Sequence, residues 1–305
     1  MEQYDSKQLL EAASEFANHP GVQNDVATRD FLDRFPLPVL FDALQKEPLV
    51  PNFENHLVAC LERIFRTNHG ASLIPQNMSF VQVGLQAGSH VVRCLACKAV
   101  SRLLENGSGN SVQLVVGSEV YTLLLDCLID GNEEESAAAM DAIKGLACSP
   151  QGMTLLFPGD IKNSTDLRCL ATKCSPLGRV RVLALLVKLF SVSSSVASMV
   201  YNSNLLSLLE SELTNRTDVL ISLTVLELLY ELAEIKHATE LLSKTNLIKL
   251  LCSLISDITT DTILRSRAML ISGRLLSKEN IAMFIDDISK IRSTPKAIKF
   301  LLLHL

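Results

Sequence analysis

The chain has 305 residues, of which 48% are apolar, which allows one long repeat domain or two ordinary ones with a substantial core. Thirteen glycines, ten prolines and no tryptophan, beside abundant Leu, Ala, Ser and Val, fit packed helices better than a β-sandwich. The formal net charge of −5 speaks against a general nucleic-acid binder, which would need a basic stripe.

The N-terminal MEQYDSKQLLEAASEF is polar and acidic where a secretory signal would be basic and then apolar. No run reaches the roughly 18 clean apolar residues of a membrane span. Sequons at Asn77, Asn106, Asn163 and Asn215 are therefore expected to be unused. The eight cysteines (Cys60, Cys94, Cys97, Cys127, Cys148, Cys169, Cys174 and Cys252) sit mostly in apolar runs. Such a pattern predicts a reduced chain, cytoplasmic in the first place and nuclear in the second.

Residues 1–52 are expected to form irregular N-terminal capping helices. Residues 6–17 make an amphipathic helix, and in 22–47 Pro36 and Pro38 interrupt an apolar run, leaving 40–45 as its helical part. A long helix follows over 53–66. Asn68-His69-Gly70 reads as its end, with Gly70 free to turn left-handed. A second helix is placed at 81–86.

From there the pattern settles into a long helix, a short one and a medium one. The triplets are 90–104, 111–116 and 119–128; 134–147, 152–157 and 166–171; 179–190, 195–201 and 205–213; and 218–233, 237–242 and 247–255. A further unit opens at 262–285. Leu103, Leu146, Leu189, Leu232 and Leu275 fall 43 residues apart, each late in a long helix. Leu85, Leu128, Leu170, Leu213 and Leu254 keep a second ruler with steps of 41–43. Two positions sharing one period define repeats in the armadillo/HEAT range, where each unit buries its apolar face only against its neighbours. The expected fold is all-α, a right-handed armadillo/HEAT-type α-solenoid superhelix, with repeats over 53–285 and an atypical C-terminal end at 286–305. In that end, the apolar Phe300–Leu303 stretch FLLL lacks the polar outer face of a terminal unit.

Chemistry is sparse. There is no Gly-rich dinucleotide fingerprint or phosphate loop, and Gly107-Ser108-Gly109 reads as a turn. Cys94 and Cys97 lie one helical turn apart, but no second pair or nearby histidine completes a zinc set. The six histidines are scattered. Nothing nominates a nucleophile with its base. No catalytic residue, cofactor site or metal ligand is expected, and the chain is read as a non-enzyme.

The useful signal lies one residue before the main leucine ruler, at Arg102, Gly145, Lys188, Glu231 and Arg274. If the leucine faces the next unit, its predecessor can face a groove. Arg102, Lys188, Glu231 and Arg274 are therefore the candidate protein-binding residues; the alternative is a row of ordinary solvated side chains. Glu133–Glu135 has two readings as well, favourable placement at a helix N-terminus or an acidic contact patch.

The long helices resemble the third helix of armadillo repeats. Peptide-binding members of that class carry asparagine at the position just described, and this chain does not, which argues against a nuclear-import-type receptor. A closer likeness runs through CLERIFRTNHGASLI, VVRCLACKAVSRLLEN, NLLSLLESELTNRTDVLISLTVLELLYELA and HATELLSKTNLIKLL. Across roughly 40–285 these segments resemble the 26S proteasome non-ATPase regulatory subunit 5 (S5B) family, in its plant-type form. That resemblance implies a non-enzymatic assembly chaperone of the proteasome regulatory particle. It would bind a base ATPase subunit transiently and leave before the complete particle forms, with no nucleic-acid or membrane partner. Members are usually much longer, so the resemblance also implies that the C-terminal part is missing. The alternative is a generic armadillo/HEAT scaffold in trafficking or nuclear import.

Overall fold

The computed structural model describes residues 6–22, 24–46, 52–105, 110–158, 166–215, 218–277 and 280–284. Gly107-Ser108-Gly109, two sequons (Asn106 and Asn163) and the 286–305 end lie outside them. Among the described residues there are nineteen α-helices and no strand. The chain divides into two compact units, Met1–Gly152 and Met153–Leu305.

The first unit opens with α1 (Ser6–Asn18), α2 (Asp25–Arg34) and α3 (Leu37–Gln45). On α1, Leu9, Ala13 and Phe16 are buried, one stripe at helical spacing, and α1 packs on α4 (Phe53–Phe65). The Arg63 guanidinium on α4 donates to the carbonyls of Ala17, His19 and Gly21, so it holds the segment that leaves α1. The prolines expected to interrupt this region instead start α3. Pro36 is its N-cap, with Pro38 in the first turn, where a missing N–H costs nothing because that donor has no helical partner.

Next come α5 (Asn68–Ser72), a 3-10 turn at Ile74–Asn77, and α6 (Met78–Leu85). Gly70 lies inside α5 and is not left-handed. The Thr67 hydroxyl accepts its N–H at 3.0 Å, and a Cβ there would stand 2.0 Å from the Ile64 carbonyl oxygen. Close approach of two helix ends, not a turn, demands the glycine. The unit continues with α7 (His90–Glu105), α8 (Ser111–Gly117), α9 (Val120–Asp130) and α10 (Glu133–Leu146), and α11 (Pro150–Leu156) runs across the division. The long helices stack α4 on α7 on α10, and α6 stacks on α9.

The second unit repeats the scheme with α12 (Leu167–Lys173), α13 (Pro176–Phe190), α14 (Ser194–Asn202), α15 (Leu206–Asn215), α16 (Val219–Glu234), α17 (Ala238–Leu242), α18 (Leu247–Ser256) and α19 (Thr262–Leu275). Here α13 packs on α16 and α16 on α19, while α14 meets α17 and α15 meets α18. Like parts of successive triplets therefore stack on like parts, which is the packing of an all-α solenoid of armadillo/HEAT type. Ser175 is the N-cap of α13, and Pro176 takes its first helical position.

The leucine ruler is the core. Leu103, Leu146, Leu189, Leu232 and Leu275 are all buried, as are Leu85, Leu128, Leu213 and Leu254, whereas Leu170 is half-buried. Each fully buried leucine contributes about 1.5–3 kcal/mol. Two polar rulers accompany it. Asn132, Ser175, Asp218 and Asp261 cap α10, α13, α16 and α19, each side chain accepting a first-turn N–H. Four residues further on stand Ser136, Arg179, Ser222 and Arg265, and Arg93 holds the same register, 43 residues before Ser136, on α7. Arg93 donates to Ala87 O and Gly88 O, Ser136 to Leu128 O, Arg179 to Ala171 O and Arg265 to Ile255 O. These four tie the long helix to carbonyls at or just beyond the end of the helix before it, which no backbone donor reaches. Ser222 instead bonds its own Asp218 carbonyl.

Candidate protein-binding face

On each long helix the residues at steps of four, three and four share a face. In α7 these are Val91, Leu95, Lys98 and Arg102. In α10 they are Glu134, Ala138, Asp141 and Gly145. The matching sets are Leu177, Arg181, Ala184 and Lys188 in α13; Leu220, Thr224, Glu227 and Glu231 in α16; and Ile263, Arg267, Leu270 and Arg274 in α19. The charge alternates helix by helix, basic on α7, α13 and α19 and acidic on α10 and α16. The same two-repeat rhythm, 86 residues, spaces Arg93, Arg179 and Arg265.

Much of this charge is engaged between neighbouring helices. In the first unit Lys98 on α7 reaches Glu62 on α4 at 3.1 Å, and Glu62 also holds Arg66 at 2.5 Å. Arg102 pairs within its own helix with Glu105 at 2.5 Å. These residues line a cleft of about 740 Å³ across α4, α7 and α10. Gly145 forms part of its wall; a Cβ there would come within 3.3 Å of Leu104. Cys94 also lines the cleft, and burial pushes its thiol up from the ordinary range.

In the second unit Arg274 on α19 pairs with Glu234 on α16 at 2.6 Å. Arg267 pairs with Glu227 and lies 4.6 Å from the Tyr230 ring centroid. Glu231 is exposed and Lys188 half-buried. Thus Lys188, Glu231 and Arg274 share one face of one unit, whereas Arg102 belongs to the cleft of the other. The leucine ruler singled out these positions but not Glu234, which pairs with Arg274, nor Glu62 and Glu227, which pair with Lys98 and Arg267 beside them. Stepping the charged residues by the same period would have found them.

The acidic start of α10 is structural in part. Asn132 and Glu135 form a reciprocal capping box, and the fully buried Glu135 carboxylate also accepts from Arg93 Nε at 2.7 Å. Glu133 and Glu134 are exposed. Cys97 is buried in the core, where a hydrogen bond to Cys127 and then burial push its thiol up. No group of three His, Cys, Asp or Glu side chains converges as a metal site among the described residues. No single helix among them is long and apolar enough to cross a membrane.

The model of the proteasome non-ATPase 26S subunit family matches residues 12–276. The chain belongs to that family. All four candidate residues fall within the matched span. The bovine and human 26S proteasome non-ATPase regulatory subunit 5 are each 25% identical over 239 residues, covering 75% of this chain and 46% of theirs. The chain thus spans about half the length of the curated relatives it matches. Among solved structures, a designed armadillo repeat protein in complex with the peptide (KR)4 superposes with a TM-score of 0.49 at 18% identity, covering 75% of this chain and 95% of that one. Membership in the proteasome non-ATPase 26S subunit family supports a proteasome-related role, and its relatives are regulatory subunits.

Proposed function

We propose that this chain is a non-enzymatic assembly chaperone of the 26S proteasome regulatory particle that binds a base ATPase subunit transiently. The observation that carries the reading is the family match, continuous from α1 to the end of α19. The architecture is compatible with it, since stacked long helices present side chains at regular intervals to a protein surface. The mechanism is stoichiometric. The helical face occupies an ATPase surface that otherwise meets a neighbour, and a tighter assembly partner releases it by competition for that surface. Such a chain works in the cytoplasm and also in the nucleus.

In this reading Arg102, Lys188, Glu231 and Arg274 contribute to the contact. Capture from cell extract on the immobilised full chain tests it. Base ATPase subunits should be enriched without the mature core particle, and replacing Arg102, Lys188 and Arg274 together by Glu should reduce that capture about tenfold while helicity stays unchanged. Enrichment of import factors or coat proteins would mark the chain as a general scaffold and sink the proposal.

A further inference from the structure

Exposed aliphatic side chains are unevenly distributed over the long helices. Among the described residues, α4, α7 and α10 carry no exposed large apolar side chain. In the second unit Leu177, Leu220 and Ile263 are 59%, 74% and 61% exposed. They stand 43 residues apart, each two residues after the N-cap of its helix, on α13, α16 and α19. Val219 beside Leu220, and Leu270 two turns after Ile263, are exposed as well. Single exposed aliphatics are ordinary; a row kept in register across three stacked helices is a surface.

We propose that this row is a docking strip for one amphipathic α-helix of the partner, with aliphatic residues at every seventh position and acidic residues along one flank. The proposal rests on the proteasome reading for the identity of that partner. Spacing selects the helix. Packed helices lie about 8–10 Å apart, so neighbouring strip residues present apolar groups at about that interval. Seven residues of α-helix rise about 10.5 Å. Same-side residues of a β-strand come at about 6.7 Å and then 13 Å and miss the interval. Size excludes a second copy as the main occupant, because five side chains fall well short of the roughly 1,600 Å² of a stable protein interface.

Charge sets the orientation. One turn beyond Leu177 and Ile263, on the same faces, stand Arg181 and Arg267, with Lys188 and Arg274 two turns further on. A guanidinium already paired, as Arg267 is with Glu227, keeps further N–H donors for a second carboxylate. One turn beyond the row α16 carries the neutral Thr224, with Glu227 and Glu231 further on, so a helix lying across the N-terminal ends of α13, α16 and α19 meets Arg181 and Arg267 first on the flank that faces the C-terminal ends. Its acidic residues belong on that flank.

The test has two arms. In the first, the full chain is titrated into a fluorescent synthetic helix of three heptads, with leucine at every seventh position and glutamate on one flank. Replacing Leu177, Leu220 and Ile263 together by Ser should weaken binding at least about tenfold, and a lysine-flanked peptide should bind more weakly than the glutamate one. All three positions are exposed, so the fold should be kept, which circular dichroism checks. Equal binding by the triple variant would overturn the strip.

In the second arm a photo-crosslinking residue replaces Leu220, and the chain is mixed with isolated base ATPase subunits. Crosslinking to an amphipathic helix with an acidic flank is the expected result. Crosslinking to a second copy of the chain or to an extended proline-rich segment overturns it. An ATPase subunit captured without a crosslink overturns the strip and leaves the proteasome reading standing. Failure to capture any ATPase subunit sinks that reading, and the peptide titration then decides the strip alone.

Discussion

Two hydrogens decide what residue 70 can be. Thr67 accepts the Gly70 N–H at 3.0 Å and caps α5, which brings the first turn of that helix against the last carbonyls of α4. Any larger residue places Cβ 2.0 Å from the Ile64 carbonyl oxygen, a distance that backbone must move to relieve. Gly152 meets the Leu146 carbonyl in the same way, at 1.9 Å, under the Ser149 cap. Overpacking of this kind costs about 1–3 kcal/mol, against a gain of under 1 kcal/mol for putting alanine into a helix. Gly70→Ala should therefore lower the urea midpoint by an amount worth about 2 kcal/mol, and no change in midpoint would refute the close-approach reading. The sequence placed Gly70 at a helix end and suggested a left-handed turn there, which the structure does not have. The left-handed turn and the tight contact leave the same letter, and only the contact is present.

The unit that recurs is the long helix together with its fastenings to the helix before it. Its apolar side was readable because leucine at one position, stepped by 43, stays buried from Leu103 to Leu275. The fastenings were not readable that way, because Arg and Ser alternate at one place, and all of them but Ser222 do one job. Arg93 holds carbonyls beyond α6 and, through Nε, the buried Glu135 of α10. Removing it leaves a carboxylate in the core with the Asn132 N–H beside it and no cation. Breaking such a pair costs on the order of 3 kcal/mol, much of it the uncompensated charge. Arg93→Ala should thus destabilise strongly, and adding Glu135→Gln should recover part of the loss rather than add to it. Urea unfolding of the two single variants and the double decides this; strict additivity would mean that the two groups are not coupled. The interruption expected at Pro38 fails for a related reason. Pro38 and Pro176 break a helix only in its interior, and both lie in a first turn.

At the scale of the molecule the sequence offered one ladder, whereas the structure presents two kinds of face. The first unit has a charged cleft across α4, α7 and α10; the second adds an aliphatic row to its charges. The ion pairs on both faces are largely exposed, as with Arg102–Glu105 and Arg274–Glu234, and such pairs contribute about 0–1 kcal/mol each. Their sum is a small part of the stability of the stacked core, so the charges are free to serve recognition with little effect on folding. Salt separates the two roles. Raising ionic strength from about 0.05 to 0.5 M shortens the screening length several-fold; the thermal midpoint should move by no more than a few degrees, while capture of an ATPase subunit should fall about tenfold. Splitting the reversal by unit then locates the grip. If the aliphatic row anchors the partner, Lys188→Glu with Arg274→Glu should account for most of the loss seen when Arg102 is reversed as well, because both stand on helices that carry that row and Arg102 does not. A loss produced by Arg102→Glu alone would move the grip to the cleft of the first unit.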